Sequence, residues 1–301
     1  MAKVVSLGEC MVELSLTGPF SAVVGWAGDT FNAAVYLQRL GLTCAYGTAL
    51  GAGDPFSQAI LARMSEEGVG EDLVVQAPNR LPGLYAIEGD GHGERSFYYW
   101  RGEAPAREYF ELMDLEKLKA AMLGAQLVYV SAITLAVVGE AGRARLMPLL
   151  QAAAAGGVAV AFDTNYRARL WPSAEAARPP IEAAIATSRY LSVSEHDVAA
   201  FGGGDPAAFA KKWAAKGVEV VLRYADRRIE ALSGDSVEQF AAERPVPVVD
   251  VTGAGDAFSA GYLAARLQGR DIETAVGAAR RLADVVVQHP GAIIPRAAMP
   301  E

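Results

Sequence analysis

Apolar positions along the chain switch repeatedly between two spacings. The runs Val4-Val5-Ser6-Leu7, Leu127-Val128-Tyr129-Val130, Val158-Ala159-Val160-Ala161-Phe162, Tyr190-Leu191-Ser192-Val193 and Val218-Glu219-Val220-Val221-Leu222 are short and nearly continuous in apolar character, which predicts buried strands. Between them, helix-period runs occupy about 29–40, closed by Gly41, and then 114–124, 139–155, 174–187 and 205–216. A further apolar helix is predicted from Ala257 onward, after the extended run 245–249. Apolar strands joined by helical crossovers specify an α/β fold, a doubly wound and mainly parallel sheet covered on both faces. Ligands in such folds bind beyond the carboxyl ends of the strands.

Two regions, about 11–26 and 83–101, break this rhythm. Val12, Leu14 and Leu16 alternate with Glu13 and Ser15, and Leu84-Tyr85-Ala86-Ile87 and Ser96-Phe97-Tyr98-Tyr99-Trp100 flank the turn Asp90-Gly91-His92-Gly93. Period-two alternation around a glycine turn predicts a hairpin, and the two regions are expected to pair as a small antiparallel sheet. Its apolar face needs cover from a substrate cleft or from a second subunit, so a lid that also makes a homo-oligomer is expected. No linker or repeat divides the chain, which reads as one domain, 1–301, with that discontinuous lid.

Composition narrows the possible partners. A chain of 301 residues, 52% hydrophobic, can bury a substantial core. The net charge of -8 disfavours nucleic acid and anionic membranes. Cys10 and Cys44 lie in hydrophobic runs without metal or redox spacing, so buried thiols are expected. No signal-peptide pattern or membrane-length apolar run is present, and a cytoplasmic protein is expected.

The chemistry concentrates in Asp250-Val251-Thr252-Gly253-Ala254-Gly255-Asp256-Ala257-Phe258-Ser259-Ala260-Gly261. Here a small-residue turn delivers a carboxylate to the start of an apolar helix. Unpaired amides and the positive end of the helix dipole favour an anion there, and Gly253, Ala254 and Gly255 keep few atoms in its way. An acid held beside an anion suits a general base that deprotonates a hydroxyl as a phosphoryl group arrives. Ordinary helix capping is the alternative. A second small-residue turn, Ala27-Gly28-Asp29-Thr30-Phe31-Asn32, starts another helix; Asp29 reads as a cap, whereas Asn32 lies one turn into an apolar helix where its amide needs a partner. Arg101 on the hairpin suits a carboxylate, which a guanidinium grips with parallel hydrogen bonds. Arg167, in Asp163-Thr164-Asn165-Tyr166-Arg167-Ala168-Arg169-Leu170-Trp171, follows a strand and is expected to point into the cleft. Arg169 is expected in solvent. The histidines suggest no hydrolytic triad, and no Gly-x-Gly-x-x-Gly follows the first strand, which disfavours a dinucleotide enzyme.

The 250–263 string resembles the C-terminal signature of the ribokinase-like (PfkB) carbohydrate kinases, and 27–34 resembles their N-terminal signature. The resemblance implies a three-layer α/β/α ribokinase-like fold and ATP with Mg2+, a monovalent cation being an optional addition. It also implies Asp256 as catalytic base, an anion hole of Gly253, Ala254 and Gly255, and Gly28, Asp29 and Asn32 against sugar hydroxyls. The lid, the Asn-Tyr-Arg-x-x-Leu-Trp segment and Gly291-Ala292-Ile293-Ile294-Pro295-Arg296 are similar to 2-keto-3-deoxygluconate kinases. That narrower resemblance implies a sugar-acid substrate, with Arg101 and Arg167 at the acid end and Tyr85 and Tyr99 along its length. Asn165, Ser194, Arg223, Thr252, Gly253 and Gly255 are expected toward the nucleotide.

Two segments depart from the family pattern. Ser194-Glu195-His196-Asp197 stands for Asn-x-x-Glu, so Asp197 is expected to meet magnesium only through water, with a plain helix-start acid as the alternative. Near 221–228 both glycines of Lys-x-Gly-x-x-Gly are missing. Tyr224 resists a positive φ, so either the loop takes another path or nucleotide use has changed; Arg223 is expected to reach a phosphate. A kinase of a neutral ketose or nucleoside and a non-catalytic sugar-acid-binding protein stay open as alternatives.

Overall fold

The computed structural model describes residues 3–89 and 95–300; the turn 90–93 falls outside them. The strands are β1 (Val4–Leu7), β2 (Met11–Gly18), β3 (Ser21–Ala27), β4 (Cys44–Gly51), β5 (Val74–Ala77), β6 (Leu84–Gly89), β7 (Arg95–Trp100), β8 (Leu127–Ser131), β9 (Ala159–Asp163), β10 (Tyr190–Ser194), β11 (Glu219–Arg223), β12 (Ile229–Ser233) and β13 (Ser236–Phe240). The described residues form a nine-stranded sheet in the order β13-β12-β11-β10-β9-β8-β1-β4-β5. It is parallel from β11 to β5 and antiparallel at the β11–β12 and β12–β13 pairs.

Strand period explains the layering. Val128, Val130, Val160 and Phe162 enter one core, while the intervening Leu127, Tyr129 and Ala161 enter the other, because successive side chains leave a strand on opposite faces. Helices 115–123, 139–155, 174–186 and 206–214 cover the first face through residues such as Leu118, Leu150, Ile181 and Trp213. Helices 29–39, 55–67, 254–267 and 272–286 cover the second through Phe31, Ile60, Phe258 and Leu282. Each of these large side chains contributes about 1.5–3 kcal/mol by leaving water. Gly261 has a packing reason: a Cβ there would lie 2.9 Å from the Cα of Ala279, so only glycine lets helices 254–267 and 272–286 approach this closely. Cys10 and Cys44 are free and buried.

The lid is a separate four-stranded sheet, β3-β2-β6-β7. Each hairpin is antiparallel, but the seam between them, β2 with β6, is parallel in the register Val12↔Leu84 to Ser15↔Ile87. The all-antiparallel pairing expected from sequence therefore holds within the hairpins and not between them. The 245–249 run belongs to no strand; its last residue bonds instead from Val249 N to the Val287 carbonyl at 2.7 Å.

Candidate active site

The site forms where the sheet's carboxyl edge meets two helix starts. The helix Ala254–Leu267 begins three residues before the apolar period becomes visible, so Asp256 lies in its first turn. Its N-cap, Gly253, has φ 76, and a Cβ there would meet the Ala292 carbonyl oxygen at 2.6 Å. The first condition favours glycine, and the second leaves no room for a side chain. Asp250 fixes the approach: one carboxylate oxygen accepts from Thr252 N at 2.9 Å and the other from Gly291 N at 2.8 Å. The Gly291–Arg296 segment thus backs the signature turn, and Arg296 is anchored to Glu67 at 3.1 Å. The Ala254 N–H turns back to the Val251 carbonyl at 3.2 Å, which leaves the following amides at the positive end of the helix to face an anion.

Asp256 is 8% exposed and accepts a hydrogen bond from Asn32 Nδ2 at 2.8 Å. That bond supplies the partner the Asn32 amide needs, and Asn32 Oδ1 accepts from Gly28 N at 3.4 Å. Asp29 is the first residue of its helix rather than its cap, and its carboxylate accepts from Asn165 Nδ2 at 3.1 Å. Burial first, and then the charge of Asp29, push the Asp256 carboxyl well above the usual carboxylate range; the Asn32 bond and, behind it, Arg167 pull the other way. A raised carboxyl pKa is what a base working near neutral pH requires.

Two cavities meet at this carboxylate. The larger, about 640 Å³, is lined by Gly28, Asp29, Asn32, Tyr85, Tyr99, Arg101 and Arg167, so the structure brings together all the residues expected at a sugar acid. The smaller, about 300 Å³, is lined by Asn165, Ser194, Asp197 and Arg223 among others. Asn165, Arg167, His196, Gly255 and Asp256 border both. Thr252 and Gly253, expected toward the nucleotide, border the larger cavity instead.

The lid's inner face carries Tyr85 stacked on Tyr99, with ring centroids 5.5 Å apart. The Tyr85 hydroxyl donates to Glu13, and Arg101 pairs with Glu9. Burial raises the Glu9 carboxyl even against the pull of Arg101. Arg169 is not simply solvated: its guanidinium lies over the Tyr99 ring, 3.7 Å from the centroid. Beneath the smaller cavity, Asp163 accepts from Ser259 Oγ at 2.7 Å and Asn165 N at 3.2 Å, with Arg223 at 3.6 Å. The Arg223 guanidinium lies over Gly255, 3.1 Å from where a Cβ would stand.

Sequence reasoning missed Glu9, Glu13, Asp163, Ser259 and His196. Glu9 and Asp163 had one usable signal, their position at the carboxyl end of an apolar strand.

The glycine-poor loop closes on itself without placing Tyr224 in the left-handed region. Tyr224 N bonds the Arg228 carbonyl and Arg227 N bonds the Tyr224 carbonyl, each at 3.0 Å, and the left-handed position falls on Arg227 at φ 71. Both Asp197 oxygens are engaged, by Thr164 Oγ1 at 2.7 Å and Tyr166 N at 3.3 Å, while its N–H donates to Ser194 Oγ at 3.1 Å. Among the described residues no group of three or more His, Cys, Asp or Glu side chains could hold a metal.

A buried carboxylate at a helix N-terminus lies where an arginine-lined cleft under a lid meets a second cleft, an arrangement suited to phosphoryl transfer to an alcohol. The chain matches the pfkB family carbohydrate kinases over residues 1–299 and belongs to that family. It is 40% identical to a 2-dehydro-3-deoxygluconokinase of Dickeya dadantii over 98% of this chain and 97% of that one. Among solved structures, a 2-dehydro-3-deoxygluconokinase of Thermotoga maritima superposes with a TM-score of 0.85 at 25% identity, covering 97% of this chain and 94% of that one. A fructokinase of Xylella fastidiosa with bound ATP superposes equally well, at 0.85, with 21% identity over 100% and 96%, which shows the shared fold.

Proposed function

We propose that the protein transfers the γ-phosphoryl group of ATP to the terminal primary hydroxyl of a sugar acid, 2-keto-3-deoxygluconate, yielding the 6-phosphate. The observation that carries this reading is the position of Asp256 where the two cavities meet. The larger cavity supplies guanidinium groups for an acid and tyrosine faces for a carbon chain. Similarity to relatives named 2-dehydro-3-deoxygluconokinase supports the choice of acid.

In this mechanism Arg167 holds the carboxylate, and Gly28, Asp29 and Asn32 meet the hydroxyls. Asp256 takes the proton of the attacking hydroxyl as its oxygen bonds to phosphorus and the bond to the ADP oxygen breaks. Arg223 and the helix-start amides that follow Ala254 stabilise the charge on the moving phosphoryl. Magnesium, when bound, neutralises phosphate charge; Asp163, Glu195 and Asp197 line its cavity and would hold it through water. Lid closure excludes water that would otherwise hydrolyse ATP. The reading includes a cytoplasmic location and a homo-oligomer built through the lid. No helix among the described residues is long and apolar enough to cross a membrane.

The test is ADP release over a panel of keto-deoxy acids, fructose, ribose and nucleosides, with and without potassium. Preference for a neutral acceptor would replace the substrate assignment. Asp256→Asn is expected to lower kcat by about 10²–10⁴-fold while leaving acid binding in place; unchanged turnover removes Asp256 from the mechanism.

A further inference from the structure

The arginines of the larger cavity are not equivalent. Arg101, 9% exposed, is neutralised by Glu9. Arg167 donates only to the neighbouring Tyr166 carbonyl, at 3.1 Å, and neither it nor Arg169 has a carboxylate partner among the described residues. Arg169 belongs to the short turn Ala168–Leu170 that follows β9 in the body, whereas Tyr99 belongs to β7 of the lid. Their stack at 3.7 Å therefore joins body to lid across the cleft. Tyr99 in turn stacks on Tyr85, which carries the contact into the other lid hairpin strand.

A guanidinium that gives its flat face to an aromatic ring keeps its N–H donors in the plane of the fork, directed away from the ring. A planar carboxylate can occupy that edge while the face stays on the tyrosine. Arg167 and Arg169 stand two residues apart in the chain and both line the larger cavity, so an anion between them is attracted by both. Desolvation of the closed cleft then strengthens the cation–ring contact.

Resting on the sugar-acid reading above, we infer that Arg169 is a specificity-determining residue and the latch of the lid. It binds the substrate's carboxylate with its edge, beside Arg167, and holds the closed lid through Tyr99 with its face. Acid recognition and closure become one event, and a neutral sugar forfeits both. Arg101, already balanced by Glu9, serves to shape the cleft wall.

The test compares kcat and KM for 2-keto-3-deoxygluconate, and ADP formed per sugar phosphate, in the full-length wild type, Arg169→Ala, Arg169→Lys, Tyr99→Leu and the Ala/Leu double variant. Arg169→Ala is expected to raise KM by about ten- to a hundredfold, the range of one charge-assisted contact, and to raise the ADP ratio above one. Arg169→Lys keeps the charge but not the fork and is expected to recover only part of the loss. In the Tyr99→Leu background the Arg169→Ala effect is expected to shrink, because the two groups act as a pair. A KM for Arg169→Ala within about twofold of wild type, full recovery by lysine, or strictly additive losses would each overturn the inference while the wild type still phosphorylates the acid. A wild type that phosphorylates no sugar acid instead overturns the substrate reading, and this inference with it.

Discussion

Asp256 shows how one residue's chemistry depends on distant neighbours. Its folded carboxyl holds a proton more tightly than in the unfolded chain, so this group's favourable contribution is complete below the ordinary carboxylate pKa of about 4. It is lost as pH rises through the raised folded value. At neutral pH the ionised form therefore costs stability. Asp256→Asn is expected to melt at a higher temperature than wild type at pH 8, with the difference closing toward pH 4; thermal unfolding across that range checks it, and equal melting points at pH 8 would contradict the assignment. In the proposed mechanism the same pKa sets the acid side of activity: kcat/KM is expected to fall with decreasing pH at a midpoint above the usual carboxylate range. The sequence pointed to Asp256 as the base because turn and helix start are local features. Its partner Asn32 lies 224 residues away, so the hydrogen bond and the shifted proton affinity had no local trace. Arg101 is the opposite lesson: its residue type suited a carboxylate, and the fold had already supplied one in Glu9.

At the level of elements, the start of helix 254–267 holds site and fold together. Gly253→Ala places a side chain on a left-handed backbone and against the Ala292 carbonyl. A loss of at least about 1 kcal/mol in denaturant-measured stability is expected, together with a higher KM for ATP as the amides tilt away. Stability and KM both matching wild type would remove the argument for glycine here. The helix was expected from Ala257 because Ala254 and Gly255 carry no apolar period; backbone geometry, not hydrophobicity, starts it earlier. Most central strands were legible as apolar runs because both their faces are buried. The edge strand β13, mostly exposed, has no such run and could be located only by its pairing with β12.

For the whole molecule, the lid decides what remains open to solvent. Cross-strand partners share a face, so Leu14, Leu16, Val24, Tyr98 and Trp100 lie together on the side of the lid away from the cleft. Trp100 is 62% exposed and Val24 50%, a patch that a second copy of the chain would cover in the proposed oligomer. Wild type is expected to sediment as a dimer or larger, and Val24→Asp to sediment as a monomer. A monomeric wild type at assay concentration excludes the lid interface. The parallel seam between β2 and β6 was hidden in the sequence because alternation states which residues share a face, not which way the neighbouring strand runs.

The chain by itself determined most of the alternation of strands and helices, the two helix starts and the presence of a carboxylate at each of them. All of these follow from short-range rules of side-chain period, backbone freedom and unpaired amides. Only the tertiary structure decided that Asn32 holds Asp256, that Glu9 neutralises Arg101, that Arg169 rests on Tyr99 and that two cavities share one carboxylate. Those relations join segments that are far apart in the chain and become neighbours only through the order of the strands and the docking of the lid.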